Sequence, residues 1–150
     1  MASVTIKVEG LRELGEKMRG LSADVNKKIA RATTNAGAQV IKKIAIRHAP
    51  VSPPEVTPGI PPGNLKKNII VRYKGKRSRM TSEHVVTVRA KGAKVVGEPY
   101  RVGIFQEYGT VNHGPQPFMR PALDQGKGQA LEAMKKRLSE RIAKANRGGR

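Results

Sequence analysis

"SADVNKKIARATTNAGAQVIKKIAIRHAP", Ser22 to Pro50, is the stretch on which the fold turns. Val25, Ile29, Ala32, Ala36, Val40 and Ile44 recur at steps of three and four, so a helix gathers them on one face. Ser22 or Asp24 can cap its start, because a short side-chain oxygen accepts from the first unpaired N–H groups. Pro50 ends it, since the residue before a proline is pushed out of helical geometry. The middle is small (Ala32, Thr33, Ala36, Gly37, Ala38), so a sheet or a second helix can approach closely.

The segments on either side supply the other layers. "SVTIKVEG" alternates Val4, Ile6 and Val8 with polar residues, the period of a half-buried strand. Leu11, Leu14, Met18 and Leu21 then follow helical spacing up to and around Gly20. After Pro50, six of the ten prolines fall between positions 50 and 62, which favours an extended loop. Asn64 opens a turn into a strand over Ile69 to Lys74. "HVVTVRA" gives a second strand, with Val86 and Val88 on one face, and the two pair as a hairpin. "GEPYRVGIFQEYGT", 97–110, fits either a strand reaching Gly109 or a strand followed by a helical turn. Leu131, Met134, Leu138, Ile142 and Ala145 mark a C-terminal helix, whose early Gly126 and Gly128 each cost roughly 1 kcal/mol relative to Ala. The expected fold class is α+β: a small antiparallel sheet packed by a long central helix and a C-terminal helix. It is expected to form one domain over 1–150, with a proline-rich loop at 50–63 and a frayed basic C-terminus.

Composition narrows the functional classes. The core must be aliphatic, because Trp is absent and only 3% of residues are aromatic. Without cysteine, disulfides and thiolate metal sites are excluded. No apolar run reaches membrane-spanning length, and the reading is of a soluble protein made in the cytoplasm, with no membrane partner. The net charge of +19 makes a polyanion or an acidic protein surface a natural neighbour.

The chemistry-bearing residues do not assemble into a catalytic signature. His48, His84 and His113 stand apart from one another, and no metal-ligand spacing links them. Phosphate-loop and serine-hydrolase motifs are missing, so an enzyme and a bound cofactor or metal are not expected. Glu107 lacks a partner for general-base work and reads as a carboxylate pinning a turn or an arginine. A basic hairpin tip, Lys74, Lys76, Arg77 and Arg79, is the candidate contact for DNA or an acidic partner. Nonspecific nucleic-acid binding is the alternative that the charge alone supports.

The stretch "FQEYGTVNHGPQPFMRPALD", 105–124, holds three prolines and three of the five Phe and Tyr residues. Together with other segments it carries a family resemblance. "VEGLRELGEKMRGL" precedes the Ala-rich helix ending in "HAP". Ala49-Pro50 is followed by Gly63-Asn64-Leu65-Lys66. Glu107-Tyr108-Gly109-Thr110 is followed by Pro117-Phe118-Met119-Arg120-Pro121-Ala122-Leu123. In these motifs the chain resembles the phage tail-completion family, the gene-product-ten-like head–tail joining proteins of lambda-like siphophages. It departs from the family by inserting "SPPEVTPGIPP" between the Ala-Pro and the Gly-x-Leu turn.

The resemblance implies a structural virion protein of the tail or neck, found in the host cytoplasm during assembly. It implies a homo-oligomeric ring, a hexamer by family resemblance, between adjacent neck and tail-tube proteins. Genome DNA in the lumen would be a nonspecific contact. The site residues it marks are structural: Leu65, Glu107, Tyr108, Gly109, Thr110, Pro117, Phe118 and Pro121. Gly109 is expected at a turn that a side chain would obstruct. Tyr108 and Phe118 are expected to anchor the junction against the aliphatic core.

Overall fold

The computed structural model describes residues 11–53, 59–74, 82–90 and 97–147. The strand expected at 4–8, most of the basic hairpin tip (Lys76, Arg77, Arg79), the centre of the proline-rich stretch and the final residues lie outside that set.

Among the described residues, five helices and two strands follow in the order α1 (Leu11–Arg19), α2 (Ala23–His48), α3 (Asn64–Lys67), β1 (Ile69–Tyr73), β2 (His84–Val88), α4 (Pro99–Tyr108) and α5 (Met119–Arg147). The architecture is α+β, with a two-stranded antiparallel sheet and the helices α2 and α5 packed along each other. Ser22 caps α2 by accepting from the Val25 N–H at 3.4 Å, and Ala49 ends it in extended geometry before Pro50.

The buried face of α2 is Ile29, Thr33, Gly37, Ala38, Ile44 and Ala45, whereas Ala32, Ala36 and Val40 are only half-buried. The expected apolar stripe is thus rotated toward the small residues. The cause is the closeness of α5. A methyl group added at Gly37 would stand 2.7 Å from the Met134 side chain, and one at Gly126 would stand 2.7 Å from Ile41 and Ile44. Gly126 therefore trades helix propensity for a close helix–helix approach.

Below this contact Ile44, Ala45, Ala49, Leu65, Ile69, Val88, Phe118 and Ala122 form the buried core. The strands pair in the register Ile69 with Val88 through Tyr73 with His84. That register puts Ile69 and Tyr73 on one face with Val86 and Val88, toward α2, whereas Arg72 points the other way; Tyr73, at the end of its strand, stays partly open. The one-turn helix α3 delivers Leu65 to the core, and Asn68 closes it by donating through Nδ2 to the Asn64 carbonyl oxygen at 2.8 Å.

The segment 97–110 is not a strand. It forms a ten-residue helix, α4, with Pro99 in its first turn, where the missing N–H costs nothing. Pro99, Gly103 and Glu107, one helical turn apart, make its buried face. A methyl group at Gly103 would sit 3.0 Å from Val88 and 3.5 Å from Leu65, so the helix lies almost directly on the hairpin.

Candidate assembly surface

A helix whose buried face is Pro, Gly and Glu must send its large apolar residues outward. Tyr100, Ile104 and Tyr108 follow one another at i, i+4 and i+8 on the solvent side, with Phe105 beside them. All four are exposed, Tyr108 at 68%, and Val111 beyond the helix is fully open. Leu123, one turn past Arg120 in α5, is also exposed. Three of the chain's five aromatic rings thus stand in solvent on a single helix. Soluble monomers seldom leave such apolar clusters uncovered.

Two arginines flank the rings. The Arg101 guanidinium lies 5.8 Å from the centre of Phe105, and Arg120 lies 4.9 Å from that of Tyr108. Arg101 is also held by Glu98 at 2.7 Å. Aromatic residues and arginine over-represented together, with few lysines, is the composition of interface centres.

This surface is fixed by the junction beneath it. Gly109 ends α4 with φ 80° and ψ 179°, a backbone region essentially restricted to glycine. A methyl group there would also meet the His113 carbonyl oxygen at 2.9 Å and the Pro115 nitrogen at 3.0 Å. Thr110 follows, donating its N–H to the His113 carbonyl at 2.8 Å and closing a short exposed turn. The returning chain is tied back where the Gln116 N–H donates to the Gln106 carbonyl at 2.7 Å.

Glu107 then completes the junction from inside. Its carboxylate accepts from the backbone N–H groups of Phe118 and Met119, both at 2.9 Å, and of Arg120 at 3.1 Å. These donors open α5, whose own sequence supplies no Ser, Thr, Asp or Asn at the start. A carboxylate from the preceding helix therefore serves as the cap and meets the positive end of the helix dipole. Arg120 adds an ion pair through Nε at 3.3 Å. Burial alone would raise the Glu107 pKa. The hydrogen bonds from Met119, Phe118 and Arg120, helped by the arginine charge, outweigh it and hold the group below the ordinary carboxylate value.

The motif residues consequently divide between two roles. Leu65 and Phe118 are in the core, Phe118 at 1% exposure, and Glu107 is buried beside them. Pro121 is half-buried in the first turn of α5, while Thr110 and Pro117 are exposed. Tyr108 corrects the sequence reading. It is not an anchor against the aliphatic core, because the helical period that turns Glu107 inward turns Tyr108 out. Tyr100, Arg101, Ile104 and Phe105 were not singled out from sequence, and Arg120 and Leu123 entered only as members of the Pro117–Leu123 motif. A helical reading of 97–110, with Gly103 and Glu107 on the same side as Pro99, would have exposed the stripe.

Lys74, at the described edge of the hairpin tip, is exposed and far in sequence from this junction. Among the described residues no group of three or more His, Asp or Glu is placed to hold a metal ion. No described helix is long and apolar enough to cross a membrane.

A compact α+β body with a rigidly seated, uncovered aromatic helix has the character of an assembly subunit. Residues 12–109, about two thirds of the chain, match the family model described as "Bacteriophage HK97-gp10, putative tail-component". The chain belongs to this family of phage tail components, which places it among structural proteins of the virion. The match takes in Glu107 and Gly109 and ends short of the Pro117–Leu123 motif. Comparison with curated proteins and with solved structures finds no match.

Proposed function

We propose that the protein is a tail-completion or neck component that assembles with copies of itself into a ring, a hexamer by family resemblance, and joins the phage tail to the head. The observation that carries this reading is α4, with Tyr100, Ile104, Phe105 and Tyr108 on its solvent face and Glu107 locking it from below. A neighbouring subunit would cover these side chains, and head-to-tail contacts of this kind close into rings when their rotation permits. Adjacent neck and tail-tube proteins would meet the remaining faces. The hairpin tip, Lys74 with Lys76, Arg77 and Arg79, would face genome DNA in the lumen or an acidic neighbour through collective charge. No catalytic step is part of the proposal.

The test is native mass measurement of the purified full chain over a range of concentrations, beside a Phe105→Ser, Tyr108→Ser double variant. Both residues are exposed, so the variant should melt within about 1 kcal/mol of the parent yet lose the multimer. A parent chain that stays monomeric throughout, or a double variant that assembles equally well, refutes the reading.

A further inference from the structure

At the tip end of the strands, where Tyr73 pairs with His84, the hairpin, α2 and α5 enclose an open groove of about 610 Å³. Two cations reach it from α2, Lys28 and Arg31, and two from α5, Arg137 and Arg141. The spacings, three residues on one helix and four on the other, put each pair on one helical face. Among the described residues no Asp or Glu lines the groove. Glu140, next along the helix, pairs with Arg137 at 3.3 Å, but both side chains are about half exposed and this contact holds little energy.

The groove is also built rather than casual. The Arg31 guanidinium stacks 4.3 Å from the centre of the Tyr73 ring, which orients its planar fork. Tyr73 in turn leans on His84, with ring centres 5.0 Å apart. His84 Nδ1 meets the Thr34 hydroxyl at 2.8 Å, and that hydroxyl also meets Ser82 at 3.0 Å. The hairpin wall is thereby fixed to α2. Burial, with the Arg31 charge, lowers the His84 pKa, so at neutral pH the cations are the lysine and the arginines.

We propose that this groove binds an extended acidic peptide segment of a neighbouring virion protein, with carboxylates on the arginine forks and apolar side chains on the floor. Ala32 and Val71 form that floor, and Asn35 offers an amide for the peptide backbone. Guanidinium forks match carboxylates bidentately, and an acidic segment complements a chain of charge +19. Nucleic acid fits less well. A duplex is a wide convex rod that would ride over a concavity of this size. A single strand needs open aromatic faces for its bases, and the Tyr73 ring here already lies under Arg31 and against His84. The inference stands whether or not the chain closes a ring, since the groove lies within one subunit.

The experiment is fluorescence anisotropy at about 0.15 M salt with a labelled peptide alternating Glu and Leu, titrated with the full chain. Arg137→Gln with Arg141→Gln should weaken binding about tenfold or more, the loss of two charge-assisted contacts. Lys43→Ser with Lys127→Ser removes equal charge from exposed positions outside the groove and should change affinity less than about twofold. Equal loss in the two double variants would reduce the groove to diffuse electrostatics and overturn the proposal, as would no binding at all. A DNA duplex that binds more tightly than the peptide and is lost in the groove variant would assign the site to nucleic acid and overturn it equally.

Discussion

Replacing Glu107 by Gln keeps the size of the side chain and removes its charge. In the native protein one buried carboxylate satisfies three backbone donors at 2.9, 2.9 and 3.1 Å. Gln offers a single oxygen, and its amide group would face N–H groups it cannot accept from. Hydrogen bonds to a charged group contribute about 1.5–3 kcal/mol each, and a helix-dipole contact up to about 1 more. Allowing for one bond retained and for relaxation, the variant should lose about 2–3 kcal/mol. For a domain of this size that lowers the melting temperature by roughly 4–12 °C. Arg120→Ala is the control: its side chain is 62% exposed, so the ion pair should count for less than about 1 kcal/mol. The pH dependence gives a second readout. The Glu107 pKa is depressed in the folded protein, so its stabilisation is complete above the usual carboxylate range and is lost as pH falls through the folded value. The gap between parent and Gln variant should therefore keep its full size at pH ~7 and narrow by pH ~3, below the usual carboxylate range, as the parent itself becomes protonated. Circular dichroism melts at the two pH values measure both effects. A Gln variant that melts like the parent at neutral pH, or a gap that stays constant into acid, would refute the capping argument.

Three further outcomes are expected. Gly109→Val should unfold the junction or cost several kcal/mol, because both its backbone angles and the 2.9 Å approach of His113 exclude a side chain; a denaturant titration showing parental stability would contradict this. Phe118→Ala, at a site with 1% exposure, should cost about 3–5 kcal/mol by the same measurement, and a loss under about 1 kcal/mol would remove the ring from the core. Shortening the insertion from Ser52 to Pro62 to a few residues should change subunit stability by less than about 1 kcal/mol while lowering the yield of joined particles counted by electron microscopy. An unfolded subunit, or normal particle yield, would count against that expectation.

The long helix, the hairpin and α5 were readable because in each the apolar residues point inward, so burial and periodicity agree. At α4 the two part company. Its inward residues are a proline, a glycine and a carboxylate, and its outward ones are Tyr, Ile, Phe and Tyr, so an apolar count suggests a buried strand where an exposed helix stands. The same inversion made Tyr108 look like a core anchor. The rotation of α2 toward Thr33 and Gly37 was not legible either, since it depends on the fit of Met134 from another element. Glu107 read as a carboxylate pinning a turn or an arginine, but its role as the cap of α5 left only a negative trace, a long helix with no capping residue at its start. The basic groove left none. Lys28 and Arg141 are far apart in the chain, and only the packing of α2 on α5 brings them to one place.

The cap also ties the order of folding to the order of the chain. Helix α5 has no local cap and carries Gly126 and Gly128 near its start, so by itself it would nucleate poorly. Its first turn is completed by a side chain from α4, which holds its position only once α4 has settled on Val88 and Leu65. Closing the short loop between them costs little chain entropy. During synthesis the acceptor emerges ahead of its donors, which follow it by 11 to 13 residues, and α5 then grows from a site prepared for it. Until those donors arrive, a carboxylate facing the hairpin has only water to satisfy it, and α4 is held loosely. The aromatic face would then become rigid only after the C-terminal helix has formed, so that incomplete chains do not present it in the geometry a neighbour would recognise.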